Sequence, residues 1–175
     1  RKVVDLGSGP GRDALYLKSL GLDPLCIDFA SEPLKKCRRK GLETLCINYE
    51  SWLDGSFENN SLGGLWTYCS LTTTPRLKIE EILEVIYQKL IPGAPAFFGF
   101  IEDESGFSEG WVNPDDKYII PRFRFRDRKG SIEAMIKKAG FHIKHFRRIP
   151  KEIAGKNTYL NYLCLKPFEG VKYAN

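Results

Sequence analysis

A short apolar run that breaks into three glycines constrains this chain more than any other feature. Val3–Leu6 is followed by glycines at positions 7, 9 and 11, and a periodic segment over 12–20 then stops at Gly21. This order predicts a buried parallel strand, a tight turn and a helix N-terminus, where backbone N–H groups face a ligand. Glycine suits such a turn because a side chain would block either a positive φ or the approach of a cofactor to the main chain.

Two acidic residues accompany the glycines. Position 12 is arginine, whereas the nicotinamide fingerprint requires a small residue there for close helix–strand packing. Asp5 stands two residues before the first glycine, and Asp28 ends the next apolar run, 21 residues beyond Gly7. That spacing suits a carboxylate that binds ribose hydroxyls. The alternative for Asp28 is a helix N-cap, but Ser31 fits that role better, so we favour the ribose.

Strand and helix patterns alternate along the rest of the chain, which favours an α/β fold with a parallel sheet. Strands are predicted over 24–27, 43–47, 62–66 and 94–101, with a hairpin-like pair at 141–149 and 159–165. Helices are predicted over 33–40, where Ser31 serves as the cap, and from the apolar spacing over 79–90 and 132–139. Residues 50–60 and 150–158 are predicted to be loops.

Three later motifs add to the glycine turn: Gly64-Leu-Trp-Thr-Tyr-Cys-Ser-Leu71, Leu90-Ile-Pro-Gly-Ala94 and Ala139-Gly-Phe141. With these motifs the chain resembles the class I S-adenosylmethionine-dependent methyltransferases over residues 1 to about 167. The resemblance implies a doubly wound, mostly parallel seven-stranded sheet with a reversed last strand, formed by a domain over 1–167, and a tail over 168–175. It also implies S-adenosyl-L-methionine as the cofactor. The chain begins on the first strand, so the usual N-terminal segment is expected to be missing or replaced.

The resemblance also implies roles for particular residues. The glycine turn would hold the methionine portion, Asp28 the ribose and Phe29 the adenine, while Thr67 would line the methionine side. Asn48 and Tyr49 follow the third strand, where the family usually keeps an acidic residue. The expected cofactor-binding set is Asp5, Gly7, Ser8, Gly9, Gly11, Arg12, Asp28, Phe29, Asn48, Tyr49 and Thr67.

The methyl acceptor is less constrained. Methyl transfer from a sulfonium depends mainly on alignment and exclusion of water, so the lack of an evident catalytic base is no objection. Tyr68 and Ser70 are candidates for orienting an acceptor, and Cys69 lacks the proline of a cytosine-methylating Pro-Cys motif. The absence of Asn/Asp-Pro-Pro-Tyr disfavours amino-group methylation of adenine or glutamine. Thr72 and Thr73 stand where many relatives carry histidine.

We expect a small-molecule acceptor, and two alternatives stay open. Arg122–Arg126 alternates arginine with phenylalanine, as in an extended segment with three arginines on one face and two phenylalanines on the other. This pattern suits RNA (tRNA or rRNA) or an anionic small substrate, and it is also typical of a strand with one buried edge. The second alternative is a non-catalytic or truncated methyltransferase-like module, suggested by Asn48, Gly63 and the start of the chain on a strand. The aperiodic stretch 102–121 predicts a loop, for which two interpretations stay open. Either it faces the substrate, with Glu102, Phe107 and Trp111 as candidate contacts, or it has no substrate role and Phe107 and Trp111 pack it against the domain.

Composition limits the setting of the protein. The net charge is +5, which permits an anionic partner without requiring one. The five scattered cysteines form no Cys-x-x-Cys pair, which favours free thiols over a metal site or disulfides. The sequence contains neither a signal peptide nor an apolar run near the roughly 20 residues of a membrane helix. These features predict a cytoplasmic protein that does not associate with membranes.

Overall fold

The computed structural model describes residues 2–48, 55–112, 122–168 and 170, with only the backbone of Arg122. Nine strands lie in this part of the chain: β1 Val3–Leu6, β2 Pro24–Asp28, β3 Glu43–Cys46, β4 Gly64–Tyr68, β5 Pro95–Ile101, β6 Ser108–Val112, β7 Arg122–Arg126, β8 His142–Ile149 and β9 Tyr159–Leu165. The helices are α1 Arg12–Ser19, α2 Ser31–Arg39, α3 Arg76–Lys89, α4 Lys129–Lys138 and the single turn α5 Lys151–Ala154. A short 3-10 helix, Leu71–Thr73, follows β4.

Seven strands form one sheet in the order β3-β2-β1-β4-β5-β9-β8. Strands β1 to β5 run parallel, and β9 is inserted antiparallel between β5 and β8. This arrangement confirms the predicted doubly wound sheet with one reversed strand. The strand order changes direction at β1, whose neighbours are β2 and β4, and ligands of open α/β sheets bind beyond the carboxyl ends of strands at such a point.

The two faces of the sheet are covered by different helices. Helices α3 and α4 pack against the sheet at β5 and β9 and form the larger core with it. Its almost fully buried side chains include Ile82, Phe98, Phe100, Ile136 and Tyr162. Each such side chain stabilises the fold by about 1.5 to 3 kcal/mol through the apolar area that it removes from water. On the other face, α1 and α2 pack over β2 through a smaller cluster of Ala14, Cys26, Leu34, Cys37 and Leu42.

The helix after β2 does not begin as predicted. Ser31 is the first residue of α2, the N-cap position is Ala30, and no side chain caps the helix from that position. Instead, the Ala30 N–H donates to Asp28 Oδ1 at 2.9 Å. The cap prediction for Ser31 was wrong because Ser31 lies one residue inside the helix, after the N-cap position. The next difference is smaller: β4 begins at Gly64 rather than 62, and Leu62 forms a single bridge to Leu90.

The stretch 102–121, predicted to be a loop, contains a strand. Ser108–Val112 forms β6 and pairs antiparallel with β7, from Ser108 opposite Arg126 to Val112 opposite Arg122. Because β6 contains polar residues and Gly110, its sequence shows no alternating apolar pattern and did not predict a strand. The pairing with β7 makes this segment extended. The extended form predicted for Arg122–Arg126 is confirmed. We call this two-stranded unit the β6–β7 ribbon.

None of the helices in the described ranges is both long and apolar enough to cross a membrane.

Candidate active site

A cleft of about 730 Å³ opens at the carboxyl ends of the central strands. Its walls come from the ends of β1, β2 and β3, from the segment between β4 and α3, and from the β6–β7 ribbon. The lining residues are Leu6, Gly7, Ile27, Asp28, Phe29, Ile47, Asn48, Ser70, Thr73, Thr74, Pro75, Lys78, Trp111 and Phe123. Clefts of this size accommodate small molecules and cofactors.

The glycine turn forms the first wall. The N–H groups of Gly7 and Ser8 both donate to the Ile27 carbonyl, at 2.7 and 3.0 Å, so the turn is fastened to the end of β2. Gly7 has φ +72, and a Cβ there would lie 2.1 Å from the Cβ of Ser70. Glycine is therefore required at position 7 both for its backbone conformation and for the close approach of the segment after β4.

Asp28 lies at the rim of this turn. Its Oδ2 accepts a hydrogen bond from the Gly9 N–H and its Oδ1 one from the Ala30 N–H, each at 2.9 Å. A carboxylate offers about four lone-pair sites, so two of them stay available to hydroxyl groups of a ligand. Asp28 thus orders the turn and also lines the cleft.

The residues after β2 and β3 form the adjoining part of the wall. Phe29 lines the cleft and leaves 70% of its surface exposed, so its ring offers an open face for a flat ligand group. Ile47 and Asn48 lie beside it. Tyr49, the other residue predicted to contact the adenine, lies outside the described residues.

Asp5 is buried beneath the turn. Removal from water, and secondarily the charge of Asp13, raise the pKa of this carboxyl to about 7. Among the described residues, its Oδ2 and the Ser8 hydroxyl are buried without a hydrogen-bond partner. Buried polar atoms normally have partners, so these two atoms mark unused hydrogen-bonding capacity beneath the turn.

The segment after β4 brings Ser70 to the cleft. Cys69 adopts a left-handed conformation, φ 59, which turns the chain directly after the strand. The Ser70 hydroxyl donates to the Leu6 carbonyl at 2.8 Å and lies 2.5 Å from the Thr67 hydroxyl. Thr67 itself does not line the cleft, and its contact is with Ser70. Burial raises the pKa of the Cys69 thiol to about 12, so this residue is not a thiolate nucleophile.

Tyr68 lies on the opposite face of the sheet from Thr67. Its ring lies against Gly99 and stacks with Phe97 and Tyr159, at centroid distances of 6.4 and 5.7 Å. Burial raises the pKa of this phenol to about 12, so it stays neutral. Of the two residues predicted to orient an acceptor, only Ser70 lines the cleft.

Several predicted site residues lie behind the turn rather than in the cleft. Arg12 is exposed and donates to Asp13 Oδ1 at 2.7 Å. Gly11 has φ +76 and precedes α1, where a Cβ would lie 2.8 Å from the Cys37 sulfur. Ser8, Gly9 and Gly11 therefore shape the turn, and Gly7 is its only residue among those that line the cleft.

The second wall consists mainly of residues without a predicted role. Thr73, Thr74, Pro75, Lys78 and Phe123 line the cleft. Of these residues, the sequence singled out Phe123 only as part of the alternating arginine–phenylalanine segment, and it gave Thr74, Pro75 and Lys78 no binding role.

The three residues predicted as substrate contacts in the 102–121 stretch separate in the structure. Trp111 lines the cleft. Glu102 instead accepts a hydrogen bond from Arg148 Nε at 2.6 Å. Phe107 packs against Phe125 in the core below, with ring centroids 6.1 Å apart. Of these three residues, only Trp111 therefore lies where it could contact a substrate in the cleft.

Helix α3 fastens the β6–β7 ribbon in place. The Arg76 N–H, in the first turn of α3, donates to Glu109 Oε2 of β6 at 2.9 Å. The Arg76 guanidinium donates to the buried Asp127 Oδ2, also at 2.9 Å, and lies over the Phe107 ring. The ribbon and the start of α3 therefore hold each other at the cleft.

Among the described residues no group of three or more histidine, cysteine, aspartate or glutamate side chains is arranged to hold a metal ion. All five cysteines are free.

No protein-family model matches the sequence, and no curated protein matches it. Solved structures do match the fold. A S-adenosylmethionine-dependent methyltransferase from Methanosarcina mazei has a TM-score of 0.80 at 17% identity, over 96% of this chain and 93% of that one. The 1,6-didemethyltoxoflavin N1-methyltransferase of Burkholderia thailandensis, solved with 1,6-didemethyltoxoflavin and S-adenosylhomocysteine, has a TM-score of 0.77 at 18% identity, over 95% and 71%. The glycopeptide N-methyltransferase MtfA, solved with S-adenosylmethionine, has a TM-score of 0.72 at 11% identity, over 95% and 87%.

These structural neighbours are S-adenosylmethionine-dependent methyltransferases. The chain therefore has the class I methyltransferase fold, as its sequence motifs predicted.

Proposed function

We propose that this protein transfers the methyl group of S-adenosylmethionine to a small-molecule acceptor. The observation that carries the proposal is the shared position of the glycine turn and Asp28. Both lie on one cleft at the point where the strand order reverses, and Asp28 keeps lone pairs for a diol. Neighbours of the same fold, solved with S-adenosylmethionine or its demethylated product, support this choice of cofactor.

The residues of the first wall fit the parts of that cofactor. We assign the ribose hydroxyls to Asp28 and the adenine to Phe29 and Asn48. The amino-acid portion is assigned to the glycine turn, where the unpartnered oxygens of Asp5 and Ser8 lie beneath the main chain. When bound, the cofactor would supply a methyl group activated by its sulfonium sulfur, which leaves as the neutral thioether S-adenosylhomocysteine.

In this proposal the protein positions the cofactor and the acceptor, and it supplies no acid or base. Both histidines of the sequence lie on β8 and neither lines the cleft. Ser70, held by Leu6 and Thr67, is the polar side chain placed to orient an acceptor at the junction of the two walls. Holding reactants in line and excluding water provides much of the acceleration in a displacement of this kind.

A small acceptor is favoured over RNA by the surroundings of β7. Arg124 is half-buried, and Arg126, also half-buried, donates to Asn157 Oδ1 at 3.4 Å. These two arginines do not form the open cationic face that backbone phosphates require. RNA binding that falls steeply with salt and is lost in the R124Q/R126Q variant would favour an RNA acceptor instead.

The decisive experiment measures the ribose contact. We expect Asp28→Asn to weaken S-adenosylhomocysteine binding at least about tenfold in calorimetry, because a charge-assisted hydrogen bond is lost. Asp23→Asn, which alters a carboxylate at the other end of β2 that is paired with Lys2, is the matched control and should leave the affinity unchanged.

Asp28 also orders the turn, so a second comparison isolates the ribose. The native protein should bind adenosine more tightly than 2′,3′-dideoxyadenosine, and D28N should lose this preference. Native protein that is folded yet ignores S-adenosylhomocysteine at millimolar concentration would refute the proposed function. We further propose residues 1–167 as the methyltransferase domain and, from the free thiols, the cytoplasm as its location.

A further inference from the structure

We propose that the ribbon end of the cleft is the acceptor subsite and that it selects a flat aromatic acceptor through Trp111 and Phe123. This inference rests on the proposed function, because it assigns the rest of the cleft to the cofactor. It adds the chemical class of the second substrate.

The proposed adenosyl contacts and the aromatic residues of the ribbon lie at opposite ends of the cleft. Neighbouring strands lie about 4.8 Å apart, so the edge from β3 through β2 and β1 to β4 spans roughly 14 Å. The proposed adenosyl contacts Phe29 and Asn48 follow β2 and β3, at one end. Trp111 and Phe123 lie on the ribbon, beyond the segment that follows β4 at the other end. A molecule beside Ser70 would lie between the cofactor and the ribbon.

Trp111 and Phe123 form an open aromatic corner. Their ring centroids are 5.8 Å apart with an interplanar angle of 85°, so one ring presents its edge to the face of the other. Trp111 is 73% exposed although it lines the cleft, so packing within the chain explains little of its presence. A flat ring placed in this corner would stack on one side chain and meet the other edge-on, which are the favoured geometries of aromatic pairs.

Thr74, in the segment before α3, provides a polar contact in this subsite. The residue lines the cleft, is 4% exposed, and its hydroxyl has no hydrogen-bond partner within the described part of the chain. Rotation about its Cα–Cβ bond exchanges the hydroxyl with the methyl group. An unpaired buried hydroxyl gains free energy when it finds a partner, so a hydroxyl or amino substituent on the acceptor ring would be favoured here.

The aromatic corner and Thr74 are held in fixed relative positions before any ligand binds. Glu109, two residues from Trp111, accepts the hydrogen bond from the Arg76 N–H, and Thr74 lies two residues before Arg76. The same contact therefore fixes the aromatic corner and the threonine relative to each other, which reduces the ordering cost of binding.

Binding of 2-naphthol tests the aromatic corner, with trans-2-decalol as a saturated partner of similar size that carries the same hydroxyl. Both are titrated calorimetrically in the presence of saturating S-adenosylhomocysteine. We expect the native protein to prefer 2-naphthol at least roughly fivefold, and Trp111→Ala and Phe123→Ala each to remove most of this preference. Phe107→Ala is the matched control, since Phe107 lies on the same segment but does not line the cleft, and it should keep the preference.

Thr74→Val tests the polar contact separately. It should weaken 2-naphthol several-fold while leaving naphthalene unaffected, and its melting temperature should equal or exceed that of the native protein because a buried unpaired hydroxyl is removed. The W111A and F123A variants should bind S-adenosylhomocysteine within twofold of the native protein.

The outcomes separate the two proposals. Equal binding of 2-naphthol and decalol, or an aromatic preference that survives in W111A and F123A, overturns the aromatic subsite while S-adenosylhomocysteine binding stands. A tenfold loss of S-adenosylhomocysteine affinity in W111A overturns it too, because Trp111 would then belong to the cofactor site. Failure of the native protein to bind S-adenosylhomocysteine refutes the proposed function. Binding of 2-naphthol to the ribbon is then measured without S-adenosylhomocysteine.

Discussion

The two walls of the cleft are built on different physical principles. The glycine-turn wall combines main chain and the Asp28 carboxylate with Phe29, Ile47 and Asn48, and it comes from the first 48 residues of the chain. The ribbon wall consists of aromatic side chains from two segments that meet only through antiparallel pairing, and it is held to α3 by Arg76. The first wall is thus rigid by local geometry, whereas the second depends on contacts between distant parts of the sequence.

The two walls differ in how well they tolerate substitutions. Substitutions in the first wall meet backbone atoms and positive φ angles, so few residues fit there. Substitutions at Trp111 or Phe123 change exposed or half-buried rings with little cost to the core. We therefore expect the first wall to fix the cofactor and the second to set the acceptor.

The largest expected effect is at Gly7. Gly7→Ala should destabilise the fold by roughly 2 to 5 kcal/mol, since it combines a left-handed backbone with a 2.1 Å clash against Ser70. Gly9→Ala is the matched control, because its φ is +52 but nothing lies within 4 Å, and it should cost only roughly 1 to 2 kcal/mol. Urea denaturation measures both.

A double-mutant cycle sharpens this prediction. Ser70→Gly removes the atom that clashes, so it should recover part of the loss in G7A, whereas Ser70→Ala keeps the Cβ and should not. Equal stability of G7A/S70G and G7A/S70A would show that the close approach of the two segments is not what requires glycine.

The next effect concerns the pH dependence of stability. The pKa of the buried Asp5 carboxyl is raised to about 7, because burial disfavours the ionised form in the folded state. Stability should therefore fall as pH rises from the unfolded-state pKa towards 7, by about 2 kcal/mol between pH 5 and 7. Asp5→Asn carries no titrating group there, so the stability difference between the native protein and D5N isolates this contribution. A difference that is constant from pH 5 to 7 would contradict the buried carboxyl.

The smallest effect concerns the ribbon. Arg76→Met removes the partner of the buried Asp127 and should destabilise the protein by about 1 to 2 kcal/mol, because the guanidinium is partly exposed. Amide exchange in β6 should accelerate, while S-adenosylhomocysteine affinity should stay within twofold. Lys138→Met, which breaks the exposed contact with Glu80 near the same helix, serves as the control and should leave β6 unchanged. A large loss of S-adenosylhomocysteine affinity in R76M would show that the two walls act as one unit.

The strands, the glycine turn and the helix that carry the first wall were predictable because their sequence signals are local. The glycines, Asp5 and Asp28 lie within one strand–turn–helix–strand unit, and such a unit has a single common geometry. The seven strands of the main sheet and the reversal of the last one also followed from alternation and from the family resemblance. The hydrogen bond from the Ala30 N–H to the Asp28 carboxylate was not predicted, because Ser31 is the better cap by residue type alone.

The second wall was only partly predictable. Trp111 was identified because an aperiodic stretch after a central strand often faces the substrate, but its partner Phe123 looked like one phenylalanine of an alternating segment. Their contact depends on the pairing of β6 with β7, and β6 contains Gly110 and little apolar alternation. Neither the register nor the anchoring by Arg76 has a local sequence signal. The register joins residues 10 to 18 positions apart, and the anchoring joins residues more than 30 positions apart.

The hydrogen bond from the Arg76 N–H to Glu109 has a further consequence. The first turn of α3 receives no cap from a side chain of its own N-terminus, and Glu109 of β6 supplies one instead. Displacement of the ribbon would thus uncap the helix, so that strand separation and fraying of α3 form a single cooperative event. Hydrogen exchange of the first α3 amides would then report how often the acceptor side of the cleft opens, even before any acceptor is known.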